Sequence, residues 1–178
     1  MTPDDIIGFW LEAGPERWFK KDNDFDEALR QRFGAVLEQA RAHAYDAWAE
    51  TPCGLAALVI VLDQFSRNIL RNSAGAFTSD AMALELAKRG IARGDHRVLE
   101  PHLAQWLVLP FEHSEDLQDQ ETAVRLFKEM ARDDLLKWAE LHRDIIQRFG
   151  RFPHRNALLG RVSTEEEEAF LAEGGFAG

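Results

Sequence analysis

TPCGLAALVIVLDQFSRN, residues 51–68, is the stretch whose reading decides the fold. Its centre, Leu55 to Leu62, is apolar on every side, and its composition alone suits a strand as well as a helix. The start and the continuation settle it. Thr51 sets a hydroxyl ahead of Pro52, so one free amide gains an acceptor and proline falls where its missing N–H costs nothing. The run then continues through Asp63, Gln64 and Phe65, longer than a buried strand needs. A helix apolar all round belongs at the centre of a protein.

Helix punctuation spreads outward from there. Thr2-Pro3 repeats the cap-plus-proline start, Ile6, Ile7, Trp10 and Leu11 form one face, and Gly14-Pro15 ends the helix. Trp18 and Phe19 are expected to tuck back on the core. Asp24 is expected to open a helix on which Phe25, Leu29, Phe33, Val36 or Leu37, and Ala40 recur three and four apart. Ser73 to Ser79 reads as a loop. Further helices are expected over Asp80 to Arg93, stopped by Gly94, and from Glu100-Pro101 with Pro110 closing it. Another runs from Ser114 to about Arg132. The next covers Asp134 to Phe149, capped by Asp133 and stopped by Gly150. Pro153 begins a short turn. Ser163 with Glu166 forms a capping box, and the segment from Glu173 is expected to fray. No alternating run is bounded by turns, so no sheet is expected. The prediction is an all-α chain, one domain over residues 1–178, with eight or nine helices in antiparallel pairs.

Composition narrows the function classes. At 178 residues the chain can bury a full core. A single cysteine, Cys53, excludes an internal disulfide and points to the reducing cytoplasm; it is expected to be buried and inert. The net charge of −10 repels a phosphate backbone, so nucleic acid is not expected as a partner. The aliphatic run is far shorter than the roughly 20 residues of a membrane span. The five tryptophans are expected in the core, with Trp10 and Trp18 as alternatives for lining a groove.

Three polar clusters carry the candidate chemistry. In the first, Asp63 and Arg67, and Gln64 and Asn68, stand four apart and share helix faces. It reads either as a helix end or as a polar wall of a pocket. In the second, Glu112 beside His113 precedes Glu115 and Asp116, and Gln120 falls on the apolar stripe of Leu117, Val124 and Phe127. A carboxylate orients an imidazole, and a buried amide needs partners. The third holds His142, Arg143, Asp144, Arg148, Arg151, His154, Arg155 and Asn156, with Arg161 beyond. His142 lies on the stripe of Leu135, Trp138 and Phe149, where Gln120 or the acids of 112–116 would satisfy it. The arginines read as an anion site or as counter-charge to the second cluster. Glu112, His113, Glu115, His142 and His154 are metal-ligand types, but no His-Glu-x-x-His, cysteine pair or calcium loop is present, so no metal is assigned and no cofactor is identified.

Four blocks carry a resemblance: LDQFSRN (62–68), AFTSD (76–80), LPFEHSED (109–116) and HRDIIQRFGRFPHRN (142–156), with Phe9-Trp10, Trp18-Phe19 and Phe25-Asp26 before them. Together they resemble the bacterial domain-of-unknown-function family 924. The resemblance covers nearly the whole chain. It implies an all-α, tetratricopeptide-like fold and carries no reaction, ligand or cofactor with it. The expectation is a binding protein holding a small anionic or peptide-like ligand. Arg67, Arg143, Arg151 and Arg155 would grip it, and Asp63, Asn68 and Asn156 would orient it. The alternative is a hydrolase or lyase with His113 or His142 as base, oriented by Glu112, Glu115 or Asp144. A third reading has the clusters only joining helices.

Overall fold

A computed structural model describes residues 1–176. It is 74% helical with no strand among the described residues, so the all-α expectation holds. Contacts gather the chain into two compact units, Met1–Pro110 and Phe111–Gly178.

In the first unit, α1 (Pro3–Ala13) opens with a full capping box, Thr2 N donating to Asp5 at 2.7 Å and Asp5 N to Thr2 Oγ1 at 3.3 Å. Ile6 and Trp10 are fully buried. Gly14, with φ of 71°, breaks the helix before the single turn α2 (Pro15–Trp18). Trp18 tucks back as expected, its indole N–H donating to Trp10 O at 2.6 Å and its ring edge-on to Trp106 at 4.9 Å. Phe19 does so only in part: its ring stacks on Trp106 at 6.0 Å but stays largely exposed. α3 (Asn23–Arg41) begins ahead of the expected Asp24, because the Asp22 carboxylate accepts from the amides of Asp24 and Phe25.

The deciding stretch is a helix. α4 (Pro52–Val59) starts on Thr51, whose hydroxyl accepts from Gly54 N at 3.1 Å. A side chain at Gly54 would stand 2.2 Å from Trp48 O, so only glycine fits. The chain then widens into a π-helical stretch, Ile60–Phe65, and ends as α5 (Ser66–Ile69). Every residue from Leu55 to Ser66 is buried. Phe65 meets Trp10 at 5.5 Å and Phe33 at 5.0 Å. Each large side chain buried here contributes roughly 1.5–3 kcal/mol, and Leu58→Ala would cost about 2–5 kcal/mol. The expected loop before α6 contains a 3-10 turn, Ala74–Phe77. α6 (Asp80–Arg93) stops at Gly94, as read from the sequence. α7 (Pro101–Ala104) leads through a 3-10 turn to α8 (Leu109–Glu112). Pro110 therefore sits in the first turn of α8 rather than closing a helix, which proline tolerates there.

In the second unit, α9 (Leu117–Glu129) is capped by Asp116, not Ser114. Ser114 instead donates its hydroxyl to Asp119 at 2.8 Å. α10 (Asp133–Phe149) follows after a three-residue turn in which Ala131 has φ of 53°, and Gly150 ends it. So short a turn makes α9 and α10 an antiparallel pair. Ala123, Leu126 and Phe127 face inward from one helix, Leu135, Ala139, Ile145 and Ile146 from the other. Trp138 is 46% exposed, against the expectation of a core tryptophan. A 3-10 turn, Pro153–Arg155, precedes α11 (Glu165–Ala172). Counted as continuous rods, with α4 joined to α5 and α7 to α8, the described residues hold nine helices.

Candidate functional site

The charged side chains of the first cluster find partners within the first unit, although the indole N–H groups of Trp10 and Trp106 are buried there without one. Asp63, buried on the π-helical stretch, lies 3.0 Å from Arg67 and accepts from Gln64 Nε2 at 2.6 Å. Arg67 also donates to Asp63 O at 3.0 Å and grips both oxygens of Asp80, at 2.8 and 3.0 Å. Burial alone would lower the Arg67 guanidinium, but Asp63 and Asp80 overcome it and hold it above its ordinary value. Asn68 donates to Asp26 at 2.8 Å, and Arg71 takes both oxygens of the same carboxylate. Arg41 reaches Ser66, Gly75 O and Ser79, pinning the 73–79 segment. These are charge-assisted, largely bidentate bonds, the strong kind.

The second unit brings the second and third clusters together, and there the pairing is incomplete. Glu112, at the end of α8, is 4% exposed and His142, on α10, 7%. Their atoms Oε1 and Nδ1 are 2.8 Å apart, but off the line of a hydrogen bond: neither His142 nitrogen has a hydrogen-bond partner, nor has Glu112 Oε2. Gln120, fully buried on α9, donates to the carbonyls of Glu112 and Ser114 at 2.7 and 2.6 Å while its Oε1 is unpartnered. His154 Nδ1 and Asn156 Oδ1 are buried and unpartnered too. Burial first, then the charges of Arg155 and His142, push the His154 imidazole down to about 3, so it is neutral. Two phenyl rings close on the imidazoles. His142 meets Phe152 at 5.4 Å and Phe176 at 4.5 Å, while His154 meets the same two at 5.5 and 5.2 Å.

Closed pairs surround this centre. Glu115 accepts from Phe152 N at 2.9 Å and from both ends of Arg161 at 2.7 and 2.9 Å. Burial opposes ionisation there, but those donors outweigh it and hold the carboxyl below its usual range. Arg151 grips both oxygens of Glu167 at 2.6 and 2.7 Å. That grip, with Thr164 N and Asn156 Nδ2 also donating, lowers Glu167 to about 2. Arg155 donates to His113 O at 3.0 Å and lies over Phe152 at 4.3 Å.

Sequence-predicted residues therefore divide. Glu112, His142, His154 and Arg155 come together with Gln120, linked through Phe152 and Phe176, whereas Asn156 donates to Ser163 and Glu167. Asp63, Gln64, Arg67 and Asn68 find their partners at Asp26, Arg71 and Asp80 within the first unit. Arg143 and Asp144 pair with each other in solvent, so Asp144 orients no histidine. Glu112 faces His142 rather than its neighbour His113. Arg67, Arg143 and Arg151 each face a carboxylate of this chain, which is not the expected shared grip on an anion. Sequence reasoning missed Phe176, Glu167, Asp26 and Asp80 as partners, although the last two lie in blocks that carry the family resemblance. An open groove of about 400 Å³ lies between α1 and α3 and is lined by Phe9, Glu12, Arg17 and Phe25, not by buried Trp10. Cys53 is exposed rather than buried. Among the described residues, no cluster of three or more His, Cys, Asp or Glu groups suits a metal, and no helix is long and apolar enough to cross a membrane.

An all-α chain whose buried carboxylates are mostly paired among the described residues, with an incompletely paired histidine–carboxylate centre in its second unit, defines the class. The chain belongs to the family described as "Bacterial protein of unknown function (DUF924)", which it matches over residues 6–175. It is similar to the solved structure of "Protein of Unknown Function ATU0120" from Agrobacterium tumefaciens, 40% identical over 97% of both chains with a TM-score of 0.93. No curated protein matches it.

Proposed function

We propose that this is a helical binding protein that takes a small polar ligand at the Glu112–His142–His154 centre. One observation carries the reading: buried atoms of Glu112, Gln120, His142 and His154 lack hydrogen-bond partners there, while Asp26, Asp63, Glu115 and Glu167 are paired with arginines. Such atoms cost stability, so a chain that retains them gains something else from them. The imidazole nitrogens donate or accept according to tautomer, and the Glu112 and Gln120 oxygens accept, so the centre suits a ligand with several hydrogen-bonding atoms, an anionic group included. The antiparallel pair α9–α10 supports the tetratricopeptide-like part of the reading, and the lone Cys53 supports a cytoplasmic setting.

A thermal-shift screen with small carboxylates, phosphates, amines and heterocycles tests it. The expected result is a class of hit whose shift is lost in His142→Phe and kept in Arg143→Ala, which touches only the exposed pair. Uniform silence, or hits indifferent to His142, would leave the clusters as internal joints. The 2.8 Å Glu112–His142 contact favours a second reading, a hydrolase or lyase using that couple for proton transfer. Turnover of a hit compound, abolished by Glu112→Gln, would support it.

A further inference from the structure

Up to Phe176 the segment expected to fray is instead built, and its last two positions, 177 and 178, lie outside the described residues. Gly174 leaves α11 with φ of 86°, and Gly175 N donates to Phe170 O at 2.9 Å. A side chain on Gly175 would stand 2.5 Å from Phe170 O and 2.6 Å from the Phe170 ring, so that close approach needs glycine. The two glycines deliver the half-buried Phe176 ring onto both imidazoles, 4.5 Å from His142 and 5.2 Å from His154. A phenyl ring fills that space yet offers the nitrogens no hydrogen bond: His142 Nε2 and His154 Nδ1 stay unpartnered beside it. His142 is more than nine-tenths buried. A single ring carrying a polar hydrogen would match the same space and satisfy a nitrogen as well.

We infer that Phe176 is a placeholder, and that a one-ring aromatic or heteroaromatic ligand bearing an O–H or N–H takes its position between His142 and His154 when segment 174–176 withdraws. This rests on the centre being a binding site and names the ligand class and the gate. Two amide bonds hold the gate, Gly174 N to Leu171 O at 3.3 Å and Gly175 N to Phe170 O at 2.9 Å, together with the Phe176 ring on the cluster of Ile145, Ile146 and Phe152; a terminal segment held this lightly can open locally.

The test is calorimetric titration of phenol and of benzene into the full chain, as wild type, Phe176→Ala, Phe176→Leu and Phe176→Ala/His154→Leu, with helix content checked by circular dichroism. Phenol should bind Phe176→Ala about tenfold more tightly than wild type. Benzene should gain less, and His154→Leu should erase the difference between the two. Phe176→Leu, which keeps an apolar filler, should show the same order with a smaller gain, and it carries the test if the alanine variant loses its fold. Equal gains for phenol and benzene would mean a plain hole and overturn the inference, as would no gain for either. If the phenol preference is missing while a screened compound still depends on His142, the site stands and the ring exchange falls. If no compound depends on His142 yet the phenol preference appears, the exchange stands and the site is one for aromatic compounds outside the screen.

Discussion

Residues 63–80 and residues 112–156 carry similar polar chemistry and use it differently. In the first, Asp63, Arg67 and Asp80 form a closed chain of bonds, and Asn68 and Arg71 saturate Asp26. In the second, Glu112 lies against His142, Gln120 holds the Glu112 carbonyl and His154 shares two phenyl rings with His142, yet these groups leave atoms unpaired. A buried charge with all its partners is scaffold, and removing one partner is costly. A buried polar group short of partners costs stability where it stands, and replacing it together with its neighbour by apolar groups is cheap. The difference separates joint from site without reference to any ligand.

The sharpest way to break the comparison is to open the closed chain. Arg67→Ala strands Asp63, 1% exposed, without its cation, and should cost about 3–5 kcal/mol by urea denaturation. A pH series sharpens the other side. His154 is held near 3, well below the ordinary 6.5, so it stays neutral in the fold while the unfolded chain takes up a proton. Stability from this group is full above 6.5 and falls as pH drops from 6.5 towards 3, by up to about 1.4 kcal/mol per pH unit. Glu167, held at about 2, loses its contribution only as pH falls from 4.5 towards 2. The slope between 6.5 and 4.5 is therefore that of His154 between these two, and His154→Gln should flatten it in melting curves. Thr164→Ala removes the cap of α11 and should cost about 1 kcal/mol. Ala131→Gly relieves the left-handed turn between α9 and α10 and should raise stability by about 0.5–1 kcal/mol.

Much of the helical frame was legible locally. Thr51-Pro52, Gly94 and Gly150 mark their boundaries because caps and left-handed glycines act within one turn. The α11 cap was misplaced by one residue for a definite reason: Ser163-x-x-Glu166 and Thr164-x-x-Glu167 satisfy the same pattern. Arg151, which grips Glu167 from the other side of a turn, fixes Glu167 inward while Glu166 stays outside with Arg148. The same holds for the site. Gln120 announced itself as an amide on an apolar stripe, and the acids of 112–116 were named as partners for His142. That Glu112 faces His142, and that Phe176 lies on both histidines, are contacts 30 residues or more apart in two of three cases, set by helix packing that no local pattern encodes.

The most direct measurement is the stability of Glu112→Leu/His142→Phe, which leaves no stranded carboxylate, set beside that of Arg67→Ala in one urea series. A couple kept for what it binds, not for what it supports, predicts a change within about 1 kcal/mol of wild type for the double variant, together with loss of any ligand-induced shift. A loss as large as that of Arg67→Ala would contradict the account, since it would show the couple to be as much a part of the framework as the arginine.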